Sequence, residues 1–199
     1  MIDTIIFDIG KVLVEFRWET LFRELGFEGD AFESIANATV KNPIWEEFDR
    51  GTYTHDEMFA LFVEQAPEYE PQIKILFDNF GGIVKLFDYA IPWIRELKAS
   101  GYKVYVLSNW PESVYHASLD GALSFLPELD GAVMSFQEKL IKPDPQIFER
   151  LCRRYSIEPQ NAVFLDDTLK NVESARAFGL HAIHFQSYEQ AREQLAAYI

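Results

Sequence analysis

Residues 1–14 read MIDTIIFDIGKVLV, and the order of residue types in this stretch decides how the rest of the chain is read. Thr4–Phe7 (TIIF) is too short for a helix and rich in the β-branched and aromatic residues that suit a buried strand. A carboxylate, Asp8, follows at once, and Gly10 stands two residues further on. The same grammar recurs downstream. Lys103–Leu107 (KVYVL) is followed by Ser108 and Asn109, and Ala162–Leu165 (AVFL) by Asp166 and Asp167. A weaker run, Ala132–Met134 (AVM), lies upstream of Lys142–Pro143, and Ala182–Phe185 (AIHF) is a candidate fifth strand. Helix-like segments separate the later runs. Phe87–Ala99 has apolar spacing of three and four, Pro145–Tyr155 carries proline in its first turn, and Leu169–Phe178 stops at Gly179. Strands alternating with helices predict an α/β fold, a Rossmann-like parallel sheet with helices on both faces.

Residues 15–86 break this rhythm. They contain no convincing strand and read as successive amphipathic helices, with breaks near Gly26–Gly29, Asn42–Pro43, Gly51–Thr52 and Pro67–Pro71. Thr54 followed by Glu57 has the form of a capping box. The expected organisation is an α/β core from residues 1–14 and 87–199, with a helical cap at 15–86 inserted after the first strand.

The formal net charge of −14 over 199 residues argues against non-specific binding to nucleic acid or to an anionic membrane. No uncharged apolar run approaches the roughly 18 residues of a membrane span, and the N-terminus, interrupted by Asp3 and Asp8, does not have the form of a secretion signal. Cys152 is the single cysteine, which fits a reducing compartment, and a cytoplasmic location is expected. A phosphorylated substrate would be repelled by the overall field, so a site for one must carry its own local positive charge.

Ligands of open parallel sheets bind at the carboxyl ends of the strands. The polar residues expected there are Asp8, Ser108, Asn109, Lys142, Asp166 and Asp167: a nucleophilic acid, a hydroxyl, a cation and a carboxylate pair. Such a set suits phosphoryl transfer, in which a metal and an ammonium offset phosphate charge while a carboxylate attacks. In order and spacing, FDIGKVLV, LSN, KPDP and FLDDTLKNVESARAFG resemble the four motifs of haloacid dehalogenase superfamily phosphatases. The inserted stretch resembles the family's small helical cap, and EFDRGTYTHDEMF is similar to the cap of bacterial phosphatases that hydrolyse glucose 1-phosphate. The resemblance implies that Asp8 attacks phosphorus and becomes an aspartyl phosphate. It implies magnesium held by Asp8, the Gly10 carbonyl and Asp167, with Asp166 as a water-mediated or structural partner. It implies that Ser108 and the Asn109 backbone grip phosphate oxygens while Lys142 neutralises them and steadies Asp8. The expected partner is a small phosphorylated metabolite, handled by a monomer or homodimer.

One departure bears on mechanism. Most of the family phosphatases carry a second aspartate two residues after the nucleophile, as general acid and base; this chain has Gly10 there, and in that it is similar to the glucose-1-phosphate phosphatases, which also carry Asp-x-Gly. General acid–base help is worth roughly 10²–10⁴-fold. A slow enzyme, a replacement acid or an easier leaving group, such as the anomeric oxygen of a sugar 1-phosphate, would each account for the loss. Two rival readings stay open: a metal-free 2-haloacid dehalogenase, against which the Asp166–Asp167 pair argues, and a catalytically impaired binding protein, which Gly10 favours. A phosphomutase leans on the missing acid and is disfavoured. Lys11 and His116 are secondary candidates for the pocket, and one or two of Phe16, Trp18, Trp45, Phe48 and Tyr53 are expected to line it. His55, His181 and His184 have no ligand spacing with cysteine, so a zinc site is not expected.

Overall fold

The computed structural model describes all 199 residues. Seven strands run β1 (Thr4–Phe7), β2 (Val14–Phe16), β3 (Val84–Leu86), β4 (Lys103–Ser108), β5 (Gly131–Met134), β6 (Ala162–Asp166) and β7 (His181–His184). Five of them form a parallel sheet in the order β5-β4-β1-β6-β7. β1 sits at the centre, paired with β4 on one side and β6 on the other, with Phe7 in register with Val106 and Leu165. Continued by one residue, that register sets Asp8 beside Asp166.

The pleat sends alternate residues to opposite faces. Ile5, Phe7, Val104, Val106, Val163 and Leu165 pack toward α6 (Ala90–Ala99) and α11 (Tyr188–Leu195). Ile6, Tyr105, Leu107 and Phe164 pack toward α9 (Pro145–Tyr155) and α10 (Leu169–Phe178). Burial on both faces is why these strands read as unbroken apolar runs. Phe7 and Phe164 are fully buried, and each large side chain so placed contributes roughly 1.5–3 kcal/mol.

The inserted helices are α1 (Trp18–Glu24), α2 (Gly29–Ala38), α3 (Trp45–Arg50), α4 (His55–Gln65) and α5 (Glu70–Asp78). Trp45, Phe48, Phe62, Phe77 and Phe80 interlock at their centre, with Phe48 edge-on to Phe62 and stacked on Phe77. One apolar cluster of 41 buried residues runs from the sheet face into this bundle, so no polar layer separates them. Thr54 forms the expected capping box with Glu57 at the start of α4. No helix is long and apolar enough to cross a membrane.

Two expectations are corrected. Residues 15–86 are not free of strand, because β2 and β3 form an antiparallel ribbon that pairs Val14 with Leu86 and Phe16 with Val84. Each strand has three residues, too few for alternation to show, and their pairing is non-local. The following helix begins at Ala90 rather than Phe87, since the Phe87 N–H still donates to the Leu13 carbonyl beside the ribbon. Smaller shifts extend β4 and β6 to include Ser108 and Asp166 as their last residues, and move β7 back by one residue.

Candidate active site

Asp8 leaves β1 at the carboxyl edge of the sheet, its N–H donating to the Leu165 carbonyl. The chain then turns tightly, with the N–H groups of Leu13 and Val14 both donating to the Ile9 carbonyl. Three donors converge on Asp8 Oδ1: the Ile9 N–H at 2.7 Å, Ser108 Oγ at 2.7 Å and Lys142 Nζ at 2.8 Å. No hydrogen bond reaches Oδ2. The carboxylate is therefore pinned by one oxygen and leaves the other free beside the cavity that Asp8 lines. Burial raises its pKa to about 6; Lys142 opposes the rise and Asp166 adds to it.

Lys142 is almost fully buried, with Nζ 2.6 Å from Asp166 Oδ2 as well as against Asp8. Burial alone would lower its pKa, but the charges of Asp166 and Asp8 outweigh it and hold the ammonium above its ordinary value. The Lys142 backbone is clamped by the Asn109 side chain, which accepts from its N–H at 2.8 Å and donates to its carbonyl at 3.0 Å. Asn109 thus uses its side chain to place the lysine.

The two acids after β6 differ. Asp166 is inaccessible, and both of its oxygens are taken by protein donors: Oδ1 by the Thr168 N–H and Asn171 Nδ2, Oδ2 by Lys142 and the same Asn171 amide. Asp167 is partly open, lines the cavity and meets only the exposed Lys11 Nζ at 3.4 Å and the Thr168 hydroxyl at 3.3 Å. Its backbone carbonyl accepts from His184 Nε2 at 2.9 Å. Oxygen atoms of Asp8, Asp166 and Asp167 all lie within 4.8 Å of one another. The Gly10 carbonyl accepts no hydrogen bond from the protein. An all-oxygen donor set with few protein ligands fits magnesium, which keeps several waters.

The sequence model of haloacid dehalogenase-like hydrolases matches residues 2–179. The chain belongs to that family. Among curated relatives of this haloacid dehalogenase-like hydrolase, a sesquiterpene phosphatase of Aspergillus oryzae is 26% identical over 181 residues, covering 90% of this chain and 87% of that protein. Acyl-CoA dehydrogenase family member 10 of Mus musculus is 33% identical over 208 residues; the match covers 97% of this chain but only 19% of that protein. Phosphatases and haloacid dehalogenases both occur among the matches. A HAD family enzyme of Bacteroides thetaiotaomicron, solved as a magnesium complex, shares the fold with a TM-score of 0.78 at 21% identity over 98% of each chain.

The hydrolase's cavity has a volume of about 270 Å³. Its floor is Asp8, Gly10, Asn109, Lys142 and Asp167, and its walls carry Phe16, Trp45, Ile83, Val84, Trp110 and Val114. Two of the five candidate aromatics, Phe16 and Trp45, are there. Trp18 instead packs on Phe22 and Phe32, and Phe48 is core. His116 lies outside this cavity, exposed on α7 (Glu112–Ser118) beside Glu112. Cys152 is buried and its thiol pushed up to about 11 by that burial, as suits a packed residue. Sequence reasoning assigned no role to Thr168, Asn171, Trp110 or Asp49. The first two lie inside the DDTLKN stretch, at two and five residues from Asp166, a spacing that a helix start brings back onto the preceding carboxylate.

Proposed function

We propose that this hydrolase is a magnesium-dependent phosphatase of small phosphorylated metabolites, working through an aspartyl phosphate on Asp8. The observation that carries the reading is the asymmetry of that carboxylate, with Oδ1 held by three donors and Oδ2 unengaged. An attacking oxygen must be free while its partner is fixed, since positioning lowers the entropic barrier to attack. Asp167 and the Gly10 carbonyl would hold the ion, joined by Asp8 Oδ1 once Ser108 turns its hydroxyl from that oxygen to the phosphate, and bound there magnesium would offset the charge of nucleophile and phosphoryl group.

Asp8 Oδ2 attacks phosphorus and the bond to the ester oxygen breaks. Water then attacks the aspartyl phosphate at phosphorus, releasing phosphate and restoring the carboxylate. Lys142 holds Asp8 in place and presents positive charge where the phosphoryl oxygens gather. Ser108, which donates to Asp8 here, can turn its hydroxyl to a phosphate oxygen. Asp166 acts on Lys142 rather than on substrate, because its lone pairs are already spent. The dehalogenase reading fits less well, since a metal-free site gains nothing from Asp167 standing open beside Asp8 and Asp166.

A sugar phosphate such as glucose 1-phosphate is the substrate class we favour. Phe16, Trp45 and Trp110 give the cavity an aromatic lining suited to a sugar ring, and about 270 Å³ suits a small metabolite better than a drug-sized one. The test is release of p-nitrophenol from its phosphate ester with magnesium, with chelator, and in Asp8→Asn, beside a screen of sugar phosphates and a 2-haloacid. Magnesium-dependent turnover lost in Asp8→Asn supports the phosphatase. Halide release without metal would replace it with the dehalogenase.

A further inference from the structure

The phosphatase reading leaves one part unfilled. Expulsion of an alkoxide needs a proton, and Gly10 has no side chain to give one. The space is there: a β-carbon built on Gly10 meets no atom within 4 Å. The ammonium of Lys142 is committed to two carboxylates, and Lys11 is exposed and paired with Asp167. The remaining ionisable side chain on the cavity wall is Asp49, on the inserted helix α3.

Asp49 is well placed and poorly neutralised. No cation lies within ion-pair distance of it, since Arg50 turns to Glu47 instead. Its backbone carbonyl accepts from Ser135 Oγ, and the same serine oxygen accepts from the Trp110 N–H at 2.8 Å. Two residues on, the Gly51 carbonyl accepts from Lys139 Nζ. The end of α3 is thus latched to the short helix α8 (Ser135–Glu138) and its C-cap Lys139, directly after β5, which holds the Asp49 side chain at the cavity shared with Asp8.

We propose that Asp49 is the general acid and base of this enzyme, supplied by the inserted helices in place of the aspartate that Gly10 lacks. As Asp8 Oδ2 bonds to phosphorus, the electron pair of the breaking P–O bond goes to the ester oxygen. That oxygen takes the carboxyl proton of Asp49 and leaves as the alcohol. Asp49, now a carboxylate, takes a proton from the water that attacks the aspartyl phosphate, and is ready for the next turn. Its environment agrees. Burial first, then the charges of Asp8 and Glu46, raise its pKa to about 8, while Lys142 and the Trp45 indole N–H oppose the rise.

This inference rests on the phosphatase reading, and the experiment separates the two. The kcat/KM of the magnesium-loaded protein is measured for phenyl phosphate, whose leaving group needs a proton, and for 2,4-dinitrophenyl phosphate, whose leaving group does not. In Asp49→Asn we expect a loss of roughly 10²–10⁴-fold on phenyl phosphate and under about tenfold on the dinitrophenyl ester. Losses equal on the two esters, or no loss on phenyl phosphate, would overturn the role of Asp49 while leaving the phosphatase intact. No turnover of either ester by the unaltered protein would overturn both. If Asp49→Asn does not fold, the unaltered protein still decides. A protonated leaving group makes kcat/KM nearly indifferent to leaving-group acidity across substituted phenyl phosphates, and a steep dependence would exclude an acid.

Discussion

Replacing Lys142 by methionine keeps the length of the side chain and removes its charge from between two carboxylates. In the folded protein Nζ stands 2.8 Å from Asp8 and 2.6 Å from Asp166, with side-chain exposures of 1%, 10% and 0% for the three residues. Deleting one member of a buried ion pair leaves the others uncompensated, at a cost of about 3–5 kcal/mol. For a chain of this size that corresponds to a fall in Tm of roughly 6–20 °C. The assay is thermal unfolding of Lys142→Met and unaltered protein in chelator, at pH 8 and at pH 5.5. Lys142 opposes the raised pKa of Asp8, about 6 with the lysine present, so its removal raises that value further. The native variant therefore binds a proton more readily than the native parent, and its deficit is expected to shrink at pH 5.5, where Asp8 can be neutral. Magnesium should recover part of the loss at pH 8 by replacing the missing positive charge. A Tm within about 2 °C of the parent at pH 8, or a deficit that grows as the pH falls, would refute the view that Lys142 is the buried counter-ion of this site.

Asp49 makes a second pH effect. Its pKa is raised from an ordinary 3.8 to about 8, so between about pH 5 and 8 the native state keeps a proton that the unfolded chain has shed, and its contribution to stability falls as the pH rises. Urea unfolding of metal-free Asp49→Asn should show a shallower decline from pH 5.5 to 8.5 than the parent, and an equal slope would contradict this. Gly51 has φ of +68° and a β-carbon there would lie 3.0 Å from the Phe136 Cα. Gly51→Ala is expected to cost about 1–2 kcal/mol from the left-handed backbone plus the crowding, read as a lower urea midpoint; an unchanged midpoint would show that α3 is not tightly seated. Asp167→Asn should be no less stable than the parent in chelator, since the ion pair it loses is with the exposed Lys11. It should also show a smaller rise in Tm on adding magnesium, whereas an undiminished rise would place the ion elsewhere.

Much of the fold was legible because the central strands are buried on both faces. Thr4–Phe7, Lys103–Leu107 and Ala162–Leu165 stand out as apolar runs for that reason, and the polar residue after each then falls at one edge of the sheet. Gly179, left-handed at φ +111°, stops α10 where its sequence position suggested. What the chain conceals is what depends on contact between distant segments. β2 and β3 have meaning only as a pair, and neither has enough residues to show a period. Asp166 and Asp167 are adjacent and chemically alike, yet one is saturated by Lys142, Thr168 and Asn171 and the other is left open. Nothing in two consecutive aspartates says which is which. Asp49 shares its short helix with Glu46, Glu47 and Arg50, so in sequence it looks like one more charge on a solvated face. Its place on the cavity comes from Ser135 and Lys139, nearly ninety residues away.

Nucleophilic catalysis by Asp8 requires a phosphoryl group to become attached to its carboxylate. Enzyme quenched in acid during turnover of 2,4-dinitrophenyl phosphate, digested and read by mass spectrometry, should carry one phosphoryl group on the peptide that contains Asp8, and none in the presence of chelator. Peptides that remain unmodified while product accumulates, or a phosphoryl group on any other side chain, would contradict it.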